Sequence, residues 1–149
     1  MLFGSVKMLK KRLGIEGIEL DWARRFYYIY DYYKIPSTLI IPKGVKEIGD
    51  YAFCAPCDES KGSSSYYRLK KVVIPDGCKC VGREAFYSCI GLRKVEIPES
   101  VEMIGEEAFY DCSKAEVIVD KFEEDFKYIG NYAFSWCKSV RYVKEKARN

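Results

Sequence analysis

Seven cysteines and no histidine bound the chemistry open to this chain of 149 residues. Cys54-x-x-Cys57 followed by Cys78-x-Cys80 has the look of two thiolate pairs closing on a tetrahedral zinc ion. Cys78, however, takes a position filled elsewhere by Val45 and Val101, which marks it as a small core residue. Cys54, Cys57 and Cys80 remain, and three ligands do not close a tetrahedron. A Cys54–Cys57 disulfide is the competing use of that pair. Cys89, Cys112 and Cys137 recur at one repeat position and read as a buried column. Without histidine, Ser-His and Cys-His nucleophile pairs are excluded within the chain. No phosphate loop is visible. No metal, no cofactor and no catalytic residue is expected.

The elements that carry these residues repeat. Ile97–Cys112 reads IPESVEMIGEEAFYDC, and Ile74–Cys89 reads IPDGCKCVGREAFYSC. A looser copy holds Ile41, Pro42, Gly44, Val45, Ile48, Gly49, Ala52 and Phe53. Another keeps Ile129, Gly130, Ala133, Phe134 and Cys137 but loses Ile-Pro. From Gly82 to Gly105 the spacing is 23 residues, and from Gly105 to Gly130 it is 25. A period near 23 falls in the range of leucine-rich repeats, with one strand per unit lining a face. Leu69-x-x-Val72-x-Ile74 and Leu92-x-x-Val95-x-Ile97 alternate as strands with one face inward. Proline then ends each strand. Val101, Ile104, Ala108 and Phe109 continue the apolar pattern into a helical turn across the back. The glycine between them serves either a positive φ or a close backbone approach. Stacking places Phe53, Phe86, Phe109 and Phe134 in a column. Val140–Lys144 reads as a closing strand.

These units resemble the BspA-type, or Treponema-type, leucine-rich repeats, with the pattern I-P-x-x-V-x-x-I-G-x-x-A-F-x-x-C. Ile97–Cys112 matches every fixed position. The match is strong over residues 74–112 and looser over 38–53 and 125–143. The resemblance implies a curved right-handed solenoid with a parallel sheet on its concave side. It also implies binding rather than catalysis, usually of protein surfaces. The expected fold is thus an α/β solenoid: a leucine-rich-repeat array with short helical turns on the back and an N-terminal α-helical cap.

The residues left free by the repeat carry the functional reading. Outward strand positions are Lys70, Lys71 and Val73 in one unit and Arg93, Lys94 and Glu96 in the next. The fourth unit adds Glu116 and Ile118 if Val117 and Val119 point inward, and the last strand adds Arg141, Tyr142 and Lys144. Neighbouring strands lie ~4.8 Å apart, so the cations form a compact patch. That patch attracts an acidic protein surface or, alternatively, a phosphate backbone. A solvated face whose charges only maintain solubility has the same composition. The insertion over 54–67 is a Ser/Gly-centred loop in which Tyr66 and Tyr67 are candidate anchors. Its bland alternative is a tolerated insertion.

Residues 1–36 do not repeat. Ser5–Leu13 reads as a short basic helix stopped by Gly14. Trp22, Phe26, Ile29 and Tyr33 fall on one helical face, bounded by Asp21 and Pro36, although the aromatic run also suits a strand. The reading is a helical cap over 1–36 on a solenoid over 37–149. A helix-turn-helix is disfavoured by the tyrosine-studded second helix.

Lys plus Arg number 25 against 22 Asp plus Glu, too even to argue for nucleic acid alone. No apolar run approaches the ~20 residues of a membrane span. Residues 1–6 are apolar but short, with the basic residues on the wrong side for a signal peptide. The chain is therefore expected in the cytoplasm with mainly reduced thiols, as a monomer or weak end-to-end dimer. The function expected is a non-catalytic protein–protein interaction module, such as an inhibitor or scaffold. The alternative is a nucleic-acid binder using the basic concave face.

Overall fold

The structure, a computed structural model, describes residues 37–41, 43–54 and 69–144. The expected cap over 1–36 lies outside the described residues, as does the insertion from residue 55 on, with Tyr66 and Tyr67. In chain order the strands are β1 (Thr38–Ile40), β2 (Glu47–Ile48), β3 (Lys71–Val73), β4 (Cys80–Val81) and β5 (Lys94–Ile97). They continue with β6 (Met103–Ile104), β7 (Glu116–Val119), β8 (Tyr128–Ile129) and β9 (Ser139–Tyr142). Odd-numbered strands form a five-stranded sheet and even-numbered strands a four-stranded one, each in sequence order. All pairings are parallel. The backbone is therefore a parallel β-solenoid, each coil contributing one strand to each sheet.

Alternation along the strands decides what is inside. Val72, Val95 and Val117 share one register and are buried, as are Leu69 and Leu92 at the strand entries. The phenylalanine column forms as the spacing predicts. Phe53 stacks on Phe86 and Phe86 on Phe109, each at 5.1 Å, and Phe109 on Phe134 at 5.8 Å. Offset stacking of this kind adds ~0.5–1.5 kcal/mol per pair beyond burial. A thiol ladder runs beside it. Cys89 Sγ donates to the Phe53 carbonyl at 3.3 Å, Cys112 Sγ to that of Phe86 at 3.2 Å, and Cys137 Sγ to that of Phe109 at 3.3 Å.

The back differs from the expected helical turns. Among the described residues it holds no α-helix, only two-residue strands, tight turns and one 3-10 turn over Glu123–Asp125. Left-handed φ recurs along the coils, at Tyr51 (58°) in the first and then in pairs: Glu84 (49°) and Ser88 (54°), Glu107 (52°) and Asp111 (56°), Tyr132 (58°) and Trp136 (64°). Each interrupts a helical path. Alternate N–H groups then point at the next coil instead of four residues back. Phe86 N–H donates to the Ala108 carbonyl and Phe109 N–H to that of Ala133, both at 2.8 Å. The inter-coil bonds offset the cost of the left-handed residues.

Of the two roles open to the repeated glycine, close approach is the correct one. Gly82 has no positive φ, but a Cβ there would sit 2.6 Å from the backbone nitrogen of Asp50 in the coil below. Gly105 and Gly130 meet Arg83 and Glu106 in the same way.

Polar side chains take up further carbonyls between the coils. Ser100 Oγ accepts from Gly77 N–H and donates to the Cys78 carbonyl, both at 2.9 Å. One coil later the buried Lys121 does the equivalent, Nζ donating to the Val101 carbonyl at 2.8 Å beneath the Phe126 ring. Lys121 thus ties the fourth coil, which lacks Ile-Pro, to the third.

Candidate protein-interaction face

The outward positions of the five-stranded sheet form two straight rows. One is Thr38, Lys71, Lys94, Glu116 and Ser139; the other is Ile40, Val73, Glu96, Ile118 and Arg141. Inward Val117 and Val119 make Glu116 and Ile118 outward, as the alternation requires. Lys70 and Arg93 lie one residue before the strands, their backbones in succession across the sheet. Tyr142 is a correction. It pairs with Val119, on the inward register, and packs half-buried against the core. Burial pushes its phenol pKa up. Lys144 turns away from the rows to pair with Glu99 at 2.8 Å.

Lys138 was not visible as a member of this face. It precedes β9 as Arg93 precedes β5, but the link from the repeat cysteine to the strand shortens along the chain. Cys89 precedes its strand start by five residues, Cys112 by four and Cys137 by two. Only register within the sheet reveals it.

The face is basic, with its carboxylates already engaged. Lys94 Nζ lies 2.6 Å from Glu96 Oε1, and Lys138 Nζ 2.6 Å from Glu116 Oε1. Lys94, then Lys71, hold the Glu96 carboxyl below its ordinary pKa. Lys138 does so for Glu116, with Arg141 and Lys94 behind it. Among the described residues, Lys71, Arg93, Lys94, Lys138 and Arg141 thus stand against two carboxylates. These pairs are exposed and each contributes little to stability. Their effect is on the field over the face. On the other sheet Lys127 and Lys79 share one carboxylate and hold Glu102 down to about 2.

Among the described residues no group of three or more Cys, Asp or Glu is placed to hold a metal ion. Cys57 lies outside them. Cys78 is buried as the repeat frame requires, and desolvation pushes its pKa up to about 11. Burial drives Cys89 higher still. Cys137 is the exception: the neighbouring Cys112 thiol lowers its pKa, and it is only half-buried. A thiol-specific alkylating reagent at pH 8 should therefore modify Cys137 well before Cys89 or Cys112, read by peptide mass mapping. Equal rates at the three would show that the ladder is open.

Among the described residues no helix is long and apolar enough to cross a membrane. Residues 61–147 match the family described as BspA type leucine rich repeat region, in six copies, and the chain belongs to that family. Repeats of this family are in general a protein-binding fold rather than a catalytic one. No curated protein matches the sequence. A solved structure that the chain resembles is the pneumococcal vaccine antigen PcpA, at 19% identity and a TM-score of 0.48. The likeness covers 74% of this chain and 31% of that one, so the chain spans about a third of that protein's length.

Proposed function

We propose that the chain is a non-catalytic binding module whose five-stranded face docks on an acidic protein surface. The observation that carries this is, among the described residues, the excess of Lys71, Arg93, Lys94, Lys138 and Arg141 over two carboxylates that are already paired. The second row favours protein over a phosphate backbone. It sets Ile40, 52% exposed, with Val73 and Ile118 between the charges, and apolar side chains gain nothing against phosphate. In this reading residues 1–36 form a helical cap at the β1 end and 37–149 the solenoid. Tyr66 and Tyr67 anchor the rim from the loop. The module works in the cytoplasm, as a monomer or weak end-to-end dimer, in the manner of an inhibitor or scaffold.

The test is a pull-down from the native host with the wild type and a Lys70/Lys71/Arg93/Lys94 charge-reversal variant. A partner lost only with the variant is expected, with its on-rate lowered about tenfold to a thousandfold. Full retention of every partner would remove the face as the site. Capture of nucleic acid, weakening steeply as salt rises, would favour the phosphate reading instead.

A further inference from the structure

The five-stranded face has a layout as well as a charge. Its cations and its apolar side chains lie in separate lanes that run across the coils. Lys71 and Lys94 are neighbours in the row that opens the strands. Arg93 and Lys138 flank that row, one residue before β5 and β9. Two residues further along the strands stand Ile40, Val73 and Ile118, with Glu96 between Val73 and Ile118 and Arg141 after Ile118. Lys94 reaches across and ties Glu96 back to the cationic lane at 2.6 Å. Glu116, which interrupts that lane, is held by Lys138 at 2.6 Å. Two residues of strand set the lanes ~6.6 Å apart. The inward Val72, Val95 and Val117 are buried beneath them, so a one-residue slip would bury the cations, and the lanes are fixed.

Spacing along the lanes selects the shape of the partner. The strands recur every ~4.8 Å. Side chains on one face of an extended chain recur every ~6.6–6.8 Å, so a segment laid across the strands falls ~2 Å further out of step at each coil. Side chains on one stripe of an α-helix recur every ~5.4 Å, only ~0.6 Å out of step per coil, which long side chains absorb. A helix can also present an acidic stripe beside an apolar one, and so meet both lanes at once. We propose that this face binds an amphipathic α-helix lying along the solenoid axis. Its carboxylates sit over Lys71, Lys94, Arg93 and Lys138, and its apolar stripe over Ile40, Val73 and Ile118. The inference rests on the acidic-partner reading above and narrows it to one shape of partner.

The probe is a capped, dye-labelled, alanine-based peptide of about 18 residues, with glutamate and leucine on adjacent stripes at helical spacing. A control of the same composition sets glutamate and leucine at period two, which leaves no common stripe on a helix. Fluorescence anisotropy with the chain 1–149 should show the striped peptide binding about tenfold or more tighter than the control. Val73→Asp and Ile118→Asp, both outward of the core, should each weaken it about tenfold without lowering the control's affinity, in chains whose melting midpoints match the wild type. Equal affinity for the two peptides, with both lost in the Lys70/Lys71/Arg93/Lys94 charge-reversal variant, would overturn the helix and leave the acidic-partner reading intact. Undiminished binding of the striped peptide by that variant would overturn both. Binding of neither peptide by the wild type would overturn the helix alone, the face itself being judged by the pull-down.

Discussion

Phe109→Ala should lower stability by ~3–5 kcal/mol, the usual cost of emptying a buried aromatic site. Phe109 is fully buried, with Phe86 stacked at 5.1 Å on one side and Phe134 at 5.8 Å on the other. Its backbone is tied on both sides too, since its N–H reaches Ala133 and its carbonyl takes the Cys137 thiol. The coils are held at a fixed spacing by the two sheets, so the site cannot collapse to fill the void. For a chain of this size each kcal/mol moves Tm by about 2–4 °C, and the melting midpoint should fall by roughly 10 °C. A midpoint within a degree of wild type would mean that the ring column is not core.

Gly105→Ala should cost as much while adding one methyl group. Its Cβ would fall 2.6 Å from the backbone carbon of Gly82 and against the nitrogen of Arg83. Those atoms belong to the coil below and are held by the Gly105 N–H bond to the Val81 carbonyl at 2.8 Å. Side chains can move aside; a hydrogen-bonded backbone cannot without parting the coils. We expect a loss of about 3 kcal/mol or more. Gly44→Ala provides the contrast. Gly44 has φ 92° but open space around it, so only conformational strain of about 1–2 kcal/mol applies. Urea unfolding at constant m-value would compare the two. If Gly105→Ala costs no more than Gly44→Ala, inter-coil spacing is not the reason for glycine at this position.

What was legible in the amino-acid sequence was whatever the repeat states more than once. Phe53, Phe86, Phe109 and Phe134 align because they sit at one repeat position, and burial of Cys78 follows from sharing a position with Val45 and Val101. The back of each coil departs from the expected helical turn although Val101, Ile104 and Ala108 are spaced as on a helix face. What breaks the helix is a left-handed φ at Glu84, Ser88, Glu107 and Asp111, of which only aspartate is a type that favours it. Glycine at those positions would have signalled a turn. At the face, the outward placement of Lys71, Lys94 and Arg141 followed from alternation. The inward placement of Tyr142 and the arrival of Lys138 depended on a shortening link between repeat cysteine and strand, which periodicity does not record.

The register has a further consequence, for how such a chain reaches its native state. Thr38 meets Lys71 across 33 residues, Lys71 meets Lys94 across 23, and Lys94 meets Glu116 across 22. Each rung therefore closes a loop of nearly constant size, however many coils are added. The extra residues inserted before the second coil raise the closure cost of the first rung by only about 0.3 kcal/mol under the logarithmic law. Search entropy thus grows in equal steps, and zippering from any formed pair of coils meets no rising barrier. An insertion between rungs, such as the loop over 54–67, is nearly free thermodynamically, and the ladder above and below it is undisturbed.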